Sequence, residues 1–366
     1  MNILILANHF NPGGISSYIL NLSRGLSLRG HKVYVASSGG QWLERLKRYN
    51  IEHIYLPLRT KSILSPKLIF AYFYLKKIVR DKQIQVIHAQ TRVTSFLSSW
   101  ISGKTSIPYL TTAHGFFRAG FGRRKFPSWG KMVIAISEAV QEHLIRDFGL
   151  SSQRTALVHN GIEISRQPYS QSAAVTKEIK NSLGLGEGPV VGILARLSQV
   201  KGHKYLLTAM RAVINEIPSA ELLSVGDGSL KKGLEAQAAR LGIEKKVHFV
   251  AAYPDSREAI SIMDVFVMPS LQEGLGLAIM EAQAGGIPVV ATAVGGIVSL
   301  VKDNQTGILV KPCDPEGLSI AIIDLLKDKE KAGILASRAR EMIVNEFTLE
   351  KMAQGTEEVY QRCLNR

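Results

Sequence analysis

The sequence is poor in cysteine and has no long apolar run, and each shortage excludes a class of protein. Two cysteines in 366 residues, Cys313 and Cys363, cannot build a disulfide framework, so nothing calls for an oxidising compartment. No stretch of about 18 uninterrupted apolar residues occurs, so no membrane-spanning helix is predicted. The first apolar run ends at Ala7, which is too short for the core of a signal peptide. We therefore expect a cytoplasmic protein.

Acidic residues are scarce in the first half of the chain. Residues 1–165 contain 22 Lys and Arg against 7 Asp and Glu, whereas the remainder contains 23 of each, so the whole net charge of +15 lies in the first half. This asymmetry favours an anionic partner such as nucleic acid, an acidic bilayer or an anionic acceptor, and a merely solubilising surface is the alternative. No recognised nucleic-acid-binding motif accompanies the charge, so no nucleic-acid partner is expected.

Several motifs of nucleotide and metal sites are missing. Gly13 and Gly14 follow the first apolar run, but the dinucleotide-binding spacing would need glycines where Ile15 and Tyr18 stand. This counts against an NAD-dependent oxidoreductase. No Asp-x-Asp pair occurs, and no Cys/His cluster has the spacing of a zinc site. The sequence therefore predicts a site that needs neither a metal nor a cofactor.

Strand-like apolar runs alternate with amphipathic segments along the whole chain, which predicts the α/β class. Because the chain is too long for one ordinary core, we expect two doubly wound parallel-sheet domains. Ligands bind beyond the carboxyl ends of strands in such sheets, so a central cleft between facing domains is the expected site. The predicted strands are Ile3–Ala7, Lys32–Ala36, Val86–Ala89, Tyr109–Ala113, Met132–Ile136, Val190–Leu194, Glu221–Val225, Lys246–Val250, Val265–Met268, Val289–Ala291 and Gly307–Val310.

The domain boundaries follow from composition. Residues 1–165 form the basic amino-terminal domain, and residues 166–188 are a polar segment with little strand pattern, typical of a linker. Residues 189–345 form the second domain. Residues 346–366 are expected to form a carboxyl-terminal helix that packs back on the first domain.

Two cations follow the first strand of the second domain. Arg196 and Lys201 lie five residues apart, just beyond Val190–Leu194 and ahead of a predicted helix. A forked, permanently charged donor beside a mobile point charge suits a diphosphate, and an ordinary basic loop is the alternative.

A glycine loop that becomes a helix follows the strand Val265–Met268. Gly274 and Gly276 can expose backbone N–H groups to a phosphate, and the start of the helix adds positive potential. Glu273 and Glu281 flank this turn, and their carboxylates are acceptors suited to the hydroxyls of a sugar-like ligand. Two solvated helix charges are the alternative, which the neighbouring loop and the Arg/Lys pair disfavour.

Over nearly its whole length the chain resembles the retaining glycosyltransferase family 4, which has the GT-B fold of two Rossmann-like domains. Two glutamates separated by seven residues form the most specific of the matching motifs. The matching positions are Gly13, Gly14, Gly30, His31, His114, Asn160, Gly161, Arg196, Lys201, Gly226, Asp227, Gly228, Glu273 and Glu281.

The resemblance implies that residues 1–165 form the acceptor-binding domain and residues 189–345 the nucleotide-sugar-binding domain, and it implies a role for each motif. Arg196 and Lys201 would neutralise the donor diphosphate, and His114 would contact the donor sugar. Glu273 would bind the hydroxyls of that sugar, and Glu281 the nucleotide ribose. The other donor-binding positions implied are Gly13, Gly14, Asn160, Gly226, Gly274, Leu275, Gly276 and Leu277.

The chain departs from the family pattern at four places. The usual Gly-Gly-Ile-Pro-Glu ends here in Val298 and Ser299, a frequent Met of the glutamate motif is Gln283, and the usual Phe after Glu273-Gly274 is Leu275. A frequent Gly near the base site is Ala251 or Ala252. These departures affect the expected base and sugar specificity more than the expected reaction.

The resemblance thus implies a metal-independent transferase that moves a sugar, with retention, from a UDP- or GDP-type donor to a lipid, lipopolysaccharide or other cell-envelope glycan. A nucleotide-sugar epimerase of the same fold and a non-catalytic nucleotide-sugar-binding subunit are the alternatives.

Two segments of the basic half are candidates for contact with an anionic membrane surface or acceptor, which would place the protein on the inner face of the membrane. In residues 116–131 aromatic residues alternate with basic ones, a composition suited to a headgroup interface. The candidate contacts there are Arg118, Arg123, Arg124, Lys125 and Trp129. A predicted helix that begins at Ser65-Pro66-Lys67 is apolar nearly all round, and core packing is favoured for it.

Overall fold

The computed structural model describes residues 1–60, 62–120, 128–165, 167–169, 172–251 and 256–365. The chain divides into two compact units, of which unit 1 is Met1–Glu163 with Phe347–Arg366 and unit 2 is Ile164–Glu346. No helix among the described residues is both long and apolar enough to cross a membrane.

Unit 1 is built on a parallel sheet of the strands β1 to β7, in the order β3-β2-β1-β4-β5-β6-β7. Buried β-branched and leucine side chains fill the central strands, as expected for a sheet covered on both faces. The strands are β1 Asn2–Leu6, β2 Lys32–Ser37, β3 Glu52–Tyr55, β4 Val86–Ala89, β5 Tyr109–Ala113, β6 Val133–Ala135 and β7 Thr155–Leu157. The helices are α1 Gly14–Leu28, α2 Leu43–Arg48, α3 Lys67–Asp81, α4 Arg92–Thr105 and α5 Glu138–Phe148, with α14 Leu349–Leu364 from the end of the chain.

The carboxyl-terminal helix α14 is part of the core of unit 1. It packs against α1 so closely that a Cβ on Gly25 would lie 2.8 Å from the carbonyl oxygen of Leu349. Met352, Ala353 and Tyr360 belong to the same buried cluster as the side chains of β1 and α1. Outside this cluster the Arg29 guanidinium at the end of α1 pairs with Glu357 at 2.6 Å.

Unit 2 repeats the arrangement with six parallel strands in the order β10-β9-β8-β11-β12-β13. The strands are β8 Val190–Leu194, β9 Glu221–Val225, β10 Val247–Val250, β11 Val265–Met268, β12 Val289–Thr292 and β13 Ile308–Val310. The helices are α6 Ala173–Ser182, α7 His203–Glu216, α8 Lys231–Leu241, α9 Ser256–Ser261, α10 Leu277–Ala284, α11 Ile297–Leu300, α12 Pro315–Lys327 and α13 Lys329–Glu346. Helix α6 lies within the segment whose composition is typical of a linker.

Both sheets have the doubly wound order in which the chain starts in the middle, moves to one edge, and then returns past the first strand to the other. The predicted fold class is therefore confirmed. In each unit the direction of winding reverses beside the first strand, between β1 and β4 and between β8 and β11. Such a switch point opens a crevice beyond the carboxyl ends of the strands, where ligands of these folds bind.

Candidate active site

The switch point of unit 2 brings together the two loops that carry its predicted site residues. Arg196 and Lys201 follow β8, and Glu273 follows β11, the neighbouring strand. The loops are tied to each other because the Leu271 N–H donates to the carbonyl oxygen of Val200 at 2.8 Å. Residues 72 positions apart in the sequence are thus held at one edge of the sheet.

Lys201 and Glu273 form an ion pair between the Lys201 Nζ and the Glu273 Oε2. Their side chains are 21% and 13% exposed, so solvent screens the pair only partly. The Ser270 hydroxyl lies 3.4 Å from the same carboxylate oxygen. Arg196 is exposed and has no hydrogen bond or ion pair with any other described residue, so its guanidinium is available to an anion.

Gly226 and Gly228 support the loop that carries Arg196. A Cβ on Gly226 would lie 2.1 Å from the carbonyl oxygen of Ala195, and one on Gly228 would lie 2.2 Å from that of Leu197. The Leu197 N–H donates to the carbonyl oxygen of Asp227 at 3.0 Å. These glycines therefore allow two backbone segments to approach closely, a contact that the sequence pattern alone does not specify.

The glycine loop after β11 is held by the loop after β12. The Gly296 N–H donates to the carbonyl oxygen of Glu273 at 3.0 Å, and a Cβ on Gly296 would lie 2.1 Å from the carbonyl oxygen of Gly274. Gly276 has a φ of 111° and immediately precedes α10, which begins at Leu277. The N–H groups of Ile279 and Met280 donate to the carbonyl oxygen of Gly276, whereas those of Leu277 and Ala278 come too early in the helix for such a bond, so these two can bind an anion.

The two glutamates lie at opposite ends of this segment, Glu273 before the glycine turn and Glu281 in the second turn of α10, where it is partly buried. Between them, Leu275 is 1% exposed and belongs to the core rather than to an accessible surface. Gln283 is fully buried, and its Nε2 donates to the carbonyl oxygen of Leu300 at 2.9 Å. This departure from the family pattern therefore joins α10 to α11.

In unit 1, His114 follows β5 and Gln90 follows the adjacent strand β4. The His114 Nε2–H donates to the Gln90 Oε1 at 2.8 Å, which leaves the Nδ1 as the acceptor of the ring. Burial disfavours the charged imidazolium and lowers the pKa of His114 to about 3. His114 is therefore a neutral hydrogen-bonding group near pH 7.

A buried polar network lies behind His114. His88 contacts the Tyr360 hydroxyl at 2.8 Å and the Thr112 hydroxyl at 2.7 Å, and the Tyr18 hydroxyl lies 3.1 Å from Thr112. The Tyr18 ring packs edge-on against His114 with centroids 4.8 Å apart. Burial lowers the pKa of His88 to about 3. Sequence reasoning missed this network, and its only signal is a histidine inside the apolar run Val86–Ala89.

The remaining predicted positions of unit 1 differ in accessibility. Gly13 and Gly14 open α1, and a Cβ on either would meet nothing within 4 Å, so the turn is open to a ligand. Gly13 has a φ of 152°, which favours glycine. Asn160 is 4% exposed, and its Oδ1 has no partner among the described residues.

The predicted membrane or acceptor contacts divide into three groups. Arg118 is exposed. Trp129 is 7% exposed and packs against Phe117 and Phe148, so it does not present its ring to a bilayer and instead lines a cavity beside His114. Arg123, Arg124 and Lys125 lie outside the described residues.

No group of three or more His, Cys, Asp and Glu in the described part of the chain could hold a metal ion.

Two Rossmann-like units, each with polar loops at its switch point, define the GT-B class of glycosyltransferases. The family model of group 1 glycosyl transferases matches residues 175–342, and that of glycosyltransferase family 4 matches residues 12–166. The chain therefore belongs to glycosyltransferase family 4 and is a transferase.

Relatives match along nearly their whole length. An uncharacterized glycosyltransferase of Methanocaldococcus jannaschii is 24% identical, with 98% of each chain covered. A GDP-mannose-dependent phosphatidylinositol monomannoside mannosyltransferase of Mycolicibacterium smegmatis is 25% identical, with 92% of each covered. The structure of Anabaena HepE in complex with UDP-glucose has a TM-score of 0.87 at 24% identity and covers 99% of this chain and 100% of its own, which shows the shared fold.

Proposed function

We propose that the protein transfers a sugar, with retention and without a metal, from a UDP- or GDP-type donor to a lipid, lipopolysaccharide or other cell-envelope glycan. The observation that carries this proposal is Arg196, an exposed cation with no partner among the described residues, at the switch point of unit 2. Lys201, Glu273 and the first-turn amides of α10 belong to the same loop cluster. The names of two relatives support the donor class, since one uses GDP-mannose and another UDP-galactose.

The reaction follows from where charge develops. As the bond between the sugar C1 and the phosphate oxygen breaks, the ring gains positive charge and the diphosphate gains negative charge. Arg196 and Lys201 stabilise the diphosphate, in the place that a metal ion occupies in other enzymes. In a retaining reaction the acceptor oxygen bonds to C1 from the leaving-group side, and its proton passes to the departing phosphate oxygen.

His114 takes part as a neutral group. With a pKa of about 3 it carries no charge near pH 7, so it cannot serve as a cation for the diphosphate. Its ring can accept a hydrogen bond from a sugar hydroxyl through the Nδ1 while the Nε2–H remains bound to Gln90. It therefore orients the sugar rather than stabilising the leaving group.

Helix α3 supports a membrane-associated acceptor. Its buried face consists of Leu68, Ala71, Leu75 and Val79. On the opposite face Phe70 is 67% exposed, Phe73 63% and Tyr74 58%. These aromatic residues and the exposed Lys77 share one side of the helix, since they lie at i, i+3, i+4 and i+7. Aromatic and basic residues on one face suit the headgroup region of an anionic bilayer.

The experiment that tests this proposal incubates the full-length protein with UDP-glucose or GDP-mannose in excess EDTA and follows release of the nucleoside diphosphate. Release that persists in EDTA supports a reaction without a metal. A product with the anomeric configuration of the donor supports retention. Loss of activity in EDTA with rescue by magnesium or manganese would contradict metal independence, and a product with inverted anomeric configuration would contradict retention.

A further inference from the structure

Gln283 is a fully buried polar side chain near the end of α10, a helix whose other buried residues are apolar. It lies two residues beyond Glu281. Two residues of a helix are about 200° apart around the axis, so these two side chains leave α10 on nearly opposite faces. A buried amide costs free energy unless its polar atoms are hydrogen-bonded. The bonds of Gln283 therefore show why a polar residue stands at this position.

The amide nitrogen of Gln283 holds the end of α11. Its Nε2 donates to the carbonyl oxygens of Leu300 at 2.9 Å and Thr306 at 3.4 Å. Leu300 is the last residue of α11, so its carbonyl has no partner within that helix. The Thr306 hydroxyl lies 3.5 Å away from the same carbonyl oxygen. Gln283 therefore makes the shortest hydrogen bond to this carbonyl.

The donor of Gln283 is used and its acceptor is not. The Oε1 has no partner among the described residues. A methionine of similar length, frequent at this position in the family, would avoid that unpaired oxygen but would leave the carbonyl of Leu300 without the amide. We conclude that the contribution of Gln283 is its bond to α11.

The other end of α11 is bonded to the loop that carries Glu273. The Gly296 N–H donates to the carbonyl oxygen of Glu273 at 3.0 Å, directly before α11 begins at Ile297. A Cβ on Gly276 would lie 3.6 Å from the Leu300 Cδ1, so the end of α11 also packs beside the glycine turn. A displacement of this single helical turn would therefore displace the backbone at Glu273.

These contacts close a frame around the glycine loop. The chain runs from Glu273 through the loop into α10, the Gln283 amide crosses to the end of α11, and Gly296 crosses back to Glu273. Gln283 lies at the far corner of this frame from Glu273. Without its donor, the buried carbonyl of Leu300 would lose its best partner, which is costly enough to shift the segment.

We propose that Gln283 is a positioning residue for the donor sugar, because through α11 it fixes the place of Glu273. The role of Glu273 toward the sugar rests on the proposed function, whereas the frame does not. Gln283 is fully buried and does not itself contact a ligand. Its loss should therefore weaken binding of the sugar part of the donor and leave the nucleoside diphosphate part unaffected.

Gln283→Met tests this role, because it keeps the length of the side chain and removes the donor. Isothermal titration compares UDP with UDP-glucose, and GDP with GDP-mannose. We expect unchanged affinity for the free nucleoside diphosphate and about tenfold weaker binding of the sugar donor, the scale of one hydrogen bond. Gln141→Met is the matched control, since the Gln141 Nε2 donates to the Thr155 hydroxyl at 3.2 Å in unit 1 and should change neither affinity.

A double variant shows whether Gln283 acts through Glu273. Once Glu273→Gln has removed the carboxylate, a shift of its loop should cost no further affinity for the sugar donor. The variant Glu273→Gln/Gln283→Met should therefore bind the sugar donor as Glu273→Gln does. Two residues that act independently would instead give additive losses.

Hydrogen exchange followed by mass spectrometry tests the frame without any donor. In Gln283→Met, peptides within residues 294–301 should exchange faster than in the wild type, because the Gly296 N–H no longer has a fixed acceptor. Peptides from β9 should exchange as in the wild type.

Unchanged exchange within residues 294–301 would contradict the frame. The positioning role would be overturned by an unchanged affinity for the sugar donor, by an equal loss of affinity for the free nucleoside diphosphate, or by additive losses in the double variant. A wild type that binds the donor and transfers no sugar would contradict the proposed function alone, since the titrations and the exchange need no turnover.

Discussion

Unit 1 and unit 2 share one strand order but differ in how they hold their polar side chains. In unit 1 His88, Thr112 and Tyr18 are buried and bonded to one another, and burial keeps the histidines neutral. In unit 2 charged groups lie on loops at the sheet edge, with Arg196 exposed and Lys201 bound to Glu273. The charge of the surfaces differs too, because the whole excess of +15 belongs to residues 1–165.

This difference indicates a division of labour between the two switch points. A group that must stabilise a charge developing during the reaction has to be charged itself and accessible, as Arg196 is. A neutral, rigidly held group such as His114 can instead orient a hydroxyl and select a sugar. The same architecture can thus carry electrostatic stabilisation in one half and recognition in the other.

The largest effect should come from Arg196. Arg196→Ala should lower turnover at least about a hundredfold, the scale for losing one electrostatic stabiliser of a transition state. Circular dichroism should remain that of the wild type, because the side chain has no partner among the described residues. Lys201→Ala should behave similarly. Release of the nucleoside diphosphate from the donor is the measurement.

Arg240→Ala supplies the control for this prediction. Arg240 is an exposed cation in the last turn of α8, so its loss changes the charge of unit 2 equally without altering the loop cluster. If Arg196→Ala kept the turnover of the wild type, as Arg240→Ala should, Arg196 would not stabilise the diphosphate. The proposed division of labour between the two units would then be wrong.

The fold and the site of unit 2 could be predicted from the sequence for a physical reason. Its six strands are short apolar runs between turn signals, and all six appear where predicted. The predicted site residues follow β8 and β11, which the doubly wound order makes neighbours. In unit 1 the edge strands Glu52–Tyr55 and Thr155–Leu157 were missed, since each has exposed side chains and lacks a continuous apolar run.

The network of unit 1 could not be predicted, because nothing local marks it. His88 and Tyr360 are 272 residues apart, and each looks like an ordinary member of its strand or helix. Only the packing of α14 on α1 brings them into contact. Gln90 is similarly inconspicuous, since a single glutamine after a strand has no characteristic spacing. Helix α3 was predicted to pack into the core, and one face does, while the other remains exposed.

The two glutamates of unit 2 should differ in their effect on nucleotide affinity. Glu281→Ala should weaken binding of the free nucleoside diphosphate about tenfold or more, the scale for one hydrogen bond to a charged group. Glu273→Gln should bind it at least as tightly as the wild type, because the Lys201 ammonium no longer pairs with a carboxylate. Sugar transfer should fall in both variants.

Isothermal titration with UDP and with GDP measures this difference. Equal weakening in the two variants would contradict it, and would mean that Glu273 holds the nucleotide rather than the sugar. Glu216→Gln is a suitable control, since it also removes a carboxylate paired with a lysine, at the end of α7.

Acid should destabilise unit 1 before unit 2. The pKa values of His88 and His114 fall from 6.5 to about 3 on folding, so between these values the unfolded chain binds more protons than the native one. Stability is therefore lost as the pH falls below 6.5, by up to about 1.4 kcal/mol per pH unit for each imidazole. Unit 1 also contains His31 and His53 with lowered pKa values, and unit 2 contains His203, whose burial lowers its pKa to about 4.

Hydrogen exchange followed by mass spectrometry between pH 6.5 and 5, corrected for intrinsic rates, separates the two units. Peptides from β4 and β5 should lose protection more steeply than peptides from β8 and β11. The measured quantity is the slope of the opening free energy against pH. In His88→Gln this slope should decrease for unit 1 by the contribution of one proton, whatever the absolute stability of the variant. Parallel slopes in the two units would contradict the assignment of buried neutral histidines to unit 1.

The smallest expected effect, per residue, is on membrane binding. The protein should bind anionic vesicles at low salt through unit 1, bind neutral vesicles poorly and lose most of its binding at high salt, because the Debye length is about 8 Å at physiological ionic strength. Each basic side chain near the bilayer contributes about 1 kcal/mol. Arg123→Ser/Arg124→Ser/Lys125→Ser, outside the described residues, should therefore reduce binding mainly at low salt.

The aromatic face of α3 should behave differently from this loop. Phe70→Ser/Phe73→Ser removes apolar area that salt does not screen, so the variant should lose the part of the binding that survives at high salt. Ile145→Ser is the control, because it removes an exposed apolar side chain from α5 of the same unit. Affinity for the free nucleoside diphosphate should stay unchanged in all three variants, since none of them alters Arg196, Lys201 or Glu281, the side chains proposed to bind the diphosphate and the ribose. A wild type that ignores anionic vesicles at low salt would contradict membrane binding, and the charge of unit 1 would then serve a soluble anionic acceptor or solubility alone.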